Sequence, residues 1–577
     1  MPRAPSPARP ARPASPLAVA LTGAAITAIT TWYTVGVYLP TLNTPRTSLE
    51  GVPHEVSAAP PTPGLARRLA VVIVDGLPYA AARALDELRP LRQVGVFRSL
   101  AVEFPTYTSP ALVSFVTGLG PRDSGTRRNG GLDPVVGLDS VLLAAGDAHV
   151  PLTLFARGFS DFATIVAPPA GTPVYKGEFA LGVEIGRRRL AGGPELAAFD
   201  GKSPSRAFDF IHWGEVDESS HRHGGASAEA RQEARNAAAF LISYASTLDL
   251  EQDSLIVVSD HGHLPEGGHG GDEPVVSHAF FLGVGGLFRR GVELGERPMR
   301  DVASTLALLG GLRPPSSNLG LPMLDALSLE EGAASFLLAA PFEEASRFLC
   351  QLRPDPRCAE VAPLAARLRK PDPDAWEEAE SLHAALMGDR ARELDARRAA
   401  GGPRRLSVAA AALALAALVL WRALVRTGAR LGEGLAPAAA LLPIVSAAVY
   451  AAGLWLLGNR PTFSHLMPVP YLALDAIRAG SAAVVAVGAL AWVSRPGRHA
   501  PWVMLVATAV PFILLAAWVG ADPVTPPPNV AGVLVFLLAP AVPVAAVGAL
   551  AMAGVERLRG RVGGGRRAAA TVSAAEP

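Results

Sequence analysis

The sequence predicts an α/β fold with a central, mostly parallel sheet flanked by helices, and long apolar spans at both chain ends. Three observations lead there. The runs LAVVIV and SLIVV are short and rich in β-branched residues, and each closes on a polar turn with glycine, as buried central strands do. Acidic and histidine residues stand just after separate strand-like runs, where an open α/β sheet delivers its functional groups. Finally, 577 residues, 50% of them hydrophobic, exceed a single domain, and the apolar surplus gathers at the ends.

Taken in order, residues 1–16 form a Pro-rich tail with Arg3, Arg9 and Arg12, expected in the cytoplasm. Residues 17–39 are uncharged and long enough to cross a bilayer, which takes about 20 residues, so they are expected to form an uncleaved transmembrane anchor. A Pro-rich linker, 40–66, leads to the α/β domain at 67–335. A helical connector follows at 336–404, in which Trp376, Ala379, Leu382 and Leu386 recur at helical spacing, as in a stalk packed on the domain or on a membrane face. Cys350 and Cys358 lie within it, and outside the cytoplasm they could pair in a disulfide. Residues 405–555 hold five further apolar spans, near 406–425, 435–457, 472–494, 501–520 and 530–552, and 556–577 is a basic tail.

With six crossings, Arg426, Arg430, Arg495, Arg498 and the arginines from Arg557 to Arg567 fall on the same side as the N-terminal tail, as the positive-inside rule asks. The expectation is a multi-pass integral membrane protein with both termini cytoplasmic and the α/β domain outside the cytoplasm. Membrane lipid is then a partner, and Asp475, Arg478 and His465 could meet a head group near the outer boundary. The formal charge of +1 gives no support to nucleic-acid binding.

The chemistry-bearing residues are Asp75 in LAVVIVDG, Thr108 in FPTYTSP, Asp217 and His221 in HWGEVDESSHRHG, Asp260 and His261 in SDHG, and His269 in GGHGG. A lone Asp after a strand is usually a turn former or a helix cap. Turn chemistry does not require several strand ends to carry Asp and His together, and the full set has the composition of a two-metal phosphoryl-transfer site. One loop could supply both Asp217 and His221, and Asp260 and His261 could point to two sides of a turn. Mixed nitrogen and oxygen ligands suit zinc, and manganese or iron could also bind. Two such ions, about 4 Å apart, would grip the attacking and leaving oxygens of an in-line displacement.

These motifs, with the later segment DVASTLALLGGLRPPSSNLG, resemble the alkaline phosphatase superfamily over about residues 67–325. Within it they are most similar to the type I phosphodiesterase and GPI ethanolamine phosphate transferase branch. The resemblance implies an alkaline-phosphatase-like sheet and two divalent ions. Asp75, Thr108, Asp260 and His261 would hold one ion, and Asp217, His221 and His269 the other. Thr108 would be the nucleophile and would form a phospho-threonine. A helix beginning near Ser109 would aim its amides at the phosphate. The implied substrate is a phosphodiester, a class that includes phospholipids such as phosphatidylethanolamine.

The sequence also departs from that pattern. Ala111 stands where nucleotide phosphodiesterases usually have a phosphate-contacting Asn, and the Gln and Arg of the transferases are missing as well. Asn129, Arg127 and Arg128 are the weak substitutes, and as loop residues they could equally be solvated. The sulfatase pattern is absent from TSPAL. His212 and His223 recur in the transferases' motif and suggest a supporting role. His263 and His278 lie outside the matched positions, with His278 in reserve if His269 is misassigned. Two further readings stay open: an anchored nucleotide pyrophosphatase or phosphatase, and a membrane scaffold whose domain only binds metal.

Overall fold

The structure is a computed structural model. It describes residues 15–33, 49, 65–127, 129, 138–157, 162–176, 207–330, 332–370, 372–400, 437–457, 464, 469–494, 501, 504–505, 541–542, 544–555 and 557–558. The chain divides into two compact units, and the larger takes in Leu42–Arg397.

That unit is built on one eight-stranded sheet: β1 (Arg68–Val74), β2 (Gly95–Ala101), β3 (Leu152–Arg157), β4 (Val174–Lys176), β5 (Ala207–Trp213), β6 (Asp253–Val258), β7 (His278–Val284) and β8 (Val292–Pro298). The spatial order is β4-β3-β5-β1-β6-β7-β2-β8. Strands β4, β3, β5, β1 and β6 run parallel, as do β2 and β8. Strand β7 is antiparallel to both of its neighbours, β6 and β2. The sheet is thus mostly parallel, with one reversed strand that the sequence did not signal.

The unbroken apolar runs have a simple cause. Leu69, Val71 and Ile73 point into one core, and Ala70, Val72 and Val74 into the other, so both faces of β1 need apolar residues. On the first face lie α1 (Thr108–Thr117), every residue of which is buried, and the buried helix Asp301–Gly310. Ala234, Ala237, Ala238 and Leu241 of the helix Ala228–Ala245 join the second core. Helix α2 (Glu215–His223) directly follows β5.

Helices Ala333–Leu352 and Cys358–Leu368 are joined by the Cys350–Cys358 disulfide, with Cα atoms 5.9 Å apart. In the long helix Pro373–Ala400, Ala375, Ala379, Leu382 and Leu386 are buried in the first core, so its apolar stripe packs on the domain.

The remaining described helices include Pro16–Tyr33, Pro437–Leu456 and Val469–Ser494, within the other compact unit. They overlap the spans expected at 17–39, 435–457 and 472–494. Yet among the described residues no helix is long and apolar enough to cross a membrane. This overturns the multi-pass integral membrane expectation, and with it the sidedness drawn from the arginine pattern. The runs counted as apolar are rich in alanine; the first yields a helix of 18 residues, about 27 Å at 1.5 Å per residue, and the third carries Asp475 and Arg478 inside it. The span at 406–425 lies outside the described residues, as do most of 501–520 and the first part of 530–552, together with His465.

At the end of the sheet where β1 and β5 begin, Arg68 Nε donates to Asp209 Oδ2 at 2.8 Å, and the pair is buried. Removing one partner strands the other charge in the core. Asp209→Ala is expected to lower unfolding free energy by about 3–5 kcal/mol, read as a fall in urea midpoint with little change in slope.

Candidate metal centre

The central strand β1 is flanked by β5 and β6, and in register Val74 faces Trp213 while Ile73 faces Val258. The carboxyl ends of three neighbouring parallel strands therefore open side by side. Asp75 follows β1 directly, α2 brings Asp217 and His221 after β5, and Asp260 and His261 follow β6. Asp217 and His221 thus sit one helical turn apart on one face of a helix, not on a loop. Gly76 makes this convergence possible. Its φ is +76°, and a Cβ there would lie 2.9 Å from Asp217 Cα and 3.0 Å from His263 Cδ2.

Thr108 opens α1, and the segment before it is stitched to the His269 loop. The Gly270 amide donates to Thr106 Oγ1 at 3.1 Å, Thr106 Oγ1 donates to the Gly271 carbonyl at 2.7 Å, and His269 Nδ1 donates to the Thr106 carbonyl at 3.0 Å.

Two groups of donor atoms result. In the first, His261 Nε2 lies 3.2 Å from Thr108 Oγ1, 3.3 Å from Asp75 Oδ1 and 3.4 Å from Asp260 Oδ2. Asp260 Oδ1 is taken up by the backbone amides of Gly76 and His261, at 3.1 and 3.0 Å. Asp75 Oδ1 and Asp260 Oδ2 are buried and make no hydrogen bond. Two orphaned carboxylate oxygens facing an imidazole nitrogen and a hydroxyl suit a divalent cation, since burying them otherwise costs several kcal/mol.

In the second group, His221 Nε2 lies 3.4 Å from Asp217 Oδ2 and 3.1 Å from His269 Nε2, which is 3.6 Å from Asp217 Oδ1. Nitrogens bound at about 2.0–2.1 Å to one tetrahedral ion stand about 3.3 Å apart, so this spacing fits a shared ion. His269 and His261 donate their Nδ1 protons to backbone carbonyls, of Thr106 and Gly262, which leaves both Nε2 lone pairs facing the site.

The structure therefore brings Asp75, Thr108, Asp260 and His261 together, and Asp217, His221 and His269 beside them. It also adds a residue. His263 is buried, its Nε2 is 2.6 Å from Asp217 Oδ1, and with Asp217, His261 and His269 its donor atoms form one cluster within 4.8 Å. The only hint in the sequence is the spacing HGH, which returns a second imidazole toward the same edge after a glycine. His212 is buried with Nε2 3.1 Å from Asp75 Oδ2, so it backs that carboxylate. His223 is exposed. His278 is engaged elsewhere, with Pro274 O at 2.8 Å and Glu296 Oε2 at 3.1 Å.

Among the weak candidates, Asn129 reaches the nucleophile's end of α1. Its Oδ1 accepts from the Ser109 amide at 2.8 Å and its Nδ2 donates to Thr108 Oγ1 at 3.3 Å. Arg127 is buried, and Arg128 lies outside the described residues.

The electrostatics follow from crowding. Burial, then the carboxylates of Asp260 and Asp217, push the Asp75 carboxyl well above its ordinary value. Burial acts the same way on Asp217 and is the largest single influence there, but the hydrogen bond from His263 together with the neighbouring His263, His269 and His221 imidazoles outweighs it and holds that carboxyl below its ordinary range. Burial holds His269 well below its usual value, aided by His261, and lowers His221 and His212 as well. These shifts favour the neutral imidazole near pH 7, the form in which His221 and His269 could ligate an ion.

No family model matches the sequence, and no curated protein matches it. Among solved structures, the chain is similar to an inactive variant of murine ectonucleotide pyrophosphatase/phosphodiesterase 5 in complex with AMP. The likeness is at 15% identity, covers 46% of this chain and 100% of that one, and has a TM-score of 0.37. A second structure of the same murine protein gives 16% identity, 45% and 100% coverage and a TM-score of 0.37. At this distance, any functional reading rests on the site's own residues.

The raised Asp75 carboxyl sets a pH dependence. As pH rises above 3.8 toward the raised folded value, the unfolded chain releases its proton first, so the contribution of Asp75 to the stability of the metal-free fold falls over that interval. Bound zinc needs the ionised carboxylate and reverses the trend. The depressed His212, His221 and His269 work the other way, adding stability as pH rises toward 6.5. Urea midpoints from about pH 4 to 7 should therefore rise less for chelator-treated wild type than for Asp75→Asn, and most for zinc-saturated protein.

Proposed function

We propose that this protein is a divalent-metal-dependent phosphodiesterase in which Thr108 is the nucleophile. The observation that carries the reading is the placing of Thr108 Oγ1 at a buried helix start, 3.2 Å from His261 Nε2, the nitrogen that also lies 3.3 and 3.4 Å from two carboxylate oxygens without hydrogen-bond partners.

Asp75, Thr108, Asp260 and His261 would hold one ion and Asp217, His221 and His269 the other. Ions held there would supply Lewis acidity, lowering the pKa of the Thr108 hydroxyl and neutralising charge on a phosphoryl group; zinc is the first choice for this donor set, with manganese an alternative. Thr108 Oγ1 bonds to phosphorus as the bond from phosphorus to the leaving alkoxide breaks, and the proton that Oγ1 gives up ends on that alkoxide, so an alcohol departs and Thr108 carries the rest of the substrate in a new phosphodiester. Water then attacks that phosphorus and Oγ1 departs, which restores the hydroxyl. Asn129 supports the same oxygen and carries a second Nδ2 proton that can meet a non-bridging phosphoryl oxygen, in place of the residue absent at Ala111. His212 backs Asp75 from behind.

The start of α1 contributes the field of its N-terminus, where anionic phosphate is favoured by about 0.3–1 kcal/mol or more in a partly buried setting. The second group of ligands is the more open side, with Asp217 and His221 side chains 18% and 30% exposed, so substrate is expected to enter there. A phospho-threonine serves a transferase equally well if an alcohol replaces water. Phosphoethanolamine-type transfer, with a phospholipid donor such as phosphatidylethanolamine, is thus the same chemistry with a different acceptor.

The test is turnover of a chromogenic phosphodiester, a nucleotide diester and labelled phosphatidylethanolamine by zinc- and manganese-loaded protein. Thr108→Ala should reduce turnover by at least about 10³-fold, and acid quenching of wild type should trap label on Thr108. Metal-loaded protein with no Thr108-dependent turnover of any diester would sink the proposal. Asn129→Ala should cost about 10- to 100-fold in kcat, with a smaller change in KM.

A further inference from the structure

The imidazoles that crowd the second group of ligands are not alike. His261 and His269 each place Nδ1 against a backbone carbonyl, which can only accept, so Nδ1 carries the proton and Nε2 is a bare lone pair. His263 is wired the other way. Its Nδ1 faces the Gly268 amide, which donates to it at 3.1 Å. A backbone amide can only donate, so Nδ1 of His263 must be the bare nitrogen and Nε2 must hold the proton. That proton points at Asp217 Oδ1, 2.6 Å away.

From this wiring we infer that His263 is a positioning residue, and not a metal ligand: an imidazole fixed between the Gly268 amide and the Asp217 carboxylate. It ties down Oδ1 of Asp217 and leaves Oδ2, 3.4 Å from His221 Nε2, for the ion. The ligand set is then Asp217, His221 and His269, although distance alone also admits His263. The inference rests on the two-ion reading above and assigns to that site one residue with a stated atom-level role.

The ring is held in this orientation by its surroundings. Gly268 presents its amide from a φ of +94°, a conformation that favours glycine. A Cβ on Gly225 would come within 2.8 Å of His263 Cβ, and one on Gly76 within 3.0 Å of His263 Cδ2, so bare backbone closes on the side chain at both points. Turning the ring over would put carbon against both polar partners and forfeit two buried hydrogen bonds. Partners of this kind, once removed, typically cost about 10- to 100-fold in metal affinity.

The experiment is cobalt(II) titration of the chelator-stripped full chain, following ions bound per chain by elemental analysis and the visible ligand-field spectrum. Wild type, His263→Ala, His263→Gln and His221→Ala are compared. A glutamine amide can donate to Asp217 but is a poor ligand for the ion. Wild type should bind two ions. His263→Ala should weaken the second ion about 10- to 100-fold, His263→Gln should restore affinity to within about 3-fold with an unchanged spectrum, and His221→Ala should lose the second ion.

Loss of the second ion in His263→Gln as complete as in His263→Ala, with a spectrum lacking one nitrogen ligand, would make His263 a ligand and overturn the inference. Wild-type affinity in both His263 variants would overturn it as well. Wild type that binds no cobalt would instead bring down the two-ion reading, and the inference with it.

Discussion

Three carboxylates, Asp75, Asp217 and Asp260, converge on one edge of a buried sheet, and their mutual repulsion is the constraint that the rest of the site answers. Two of them are almost fully buried, and two of their oxygens find no hydrogen-bond donor. In a low dielectric such an arrangement is unfavourable by itself. The protein relieves it in part with what it has: backbone amides of Gly76 and His261 on Asp260, His263 on Asp217, and His212 behind Asp75. What remains is negative charge aimed inward, and a divalent cation is the simplest answer to it.

The fold makes the convergence inevitable once the strand order is set. β1 is first in sequence yet lies between β5 and β6, so the chain leaves it one way and returns on both sides. The crevice outside such a strand is where open α/β sheets bind ligands. Glycines then bring backbone close enough for side chains from different strands to meet, Gly76 most of all. Histidine tautomers complete the division of labour, because each Nδ1 partner decides what the opposite nitrogen can do.

Much of this was legible in the sequence. The apolar runs before Asp75 and Asp260 are strands because both faces of the sheet are covered, and the residues after them stand at strand ends for the same reason. The helix expected near Ser109 came from the resemblance, and it starts one residue earlier, at Thr108. Other features were not. The one-turn spacing of Asp217 and His221 suits a loop or a helix, and packing after β5 selects the helix. The reversal of β7 leaves no local trace, since a strand buried on both faces reads alike in either direction. His263 was passed over because it matched no motif, and its role depends on a Gly268 amide five residues away. The apolar terminal runs misled most: uncharged length is not hydrophobic length when alanine fills it.

The reversed strand β7 carries a consequence of its own. Because it runs against β6, residues 259–277 leave the sheet and re-enter it at one edge, and this single excursion carries Asp260, His261, His263 and His269. A parallel neighbour would have required a crossover to the far end, tying the segment's length to the thickness of the domain. Here both feet stand at one edge, and the segment's other ties are hydrogen bonds, among them those to Thr106, Gly225 and Ala226, rather than a passage across the domain. Its length and donor set can be redesigned without rethreading any strand, which makes it the natural place to engineer a different metal preference into an otherwise unchanged framework.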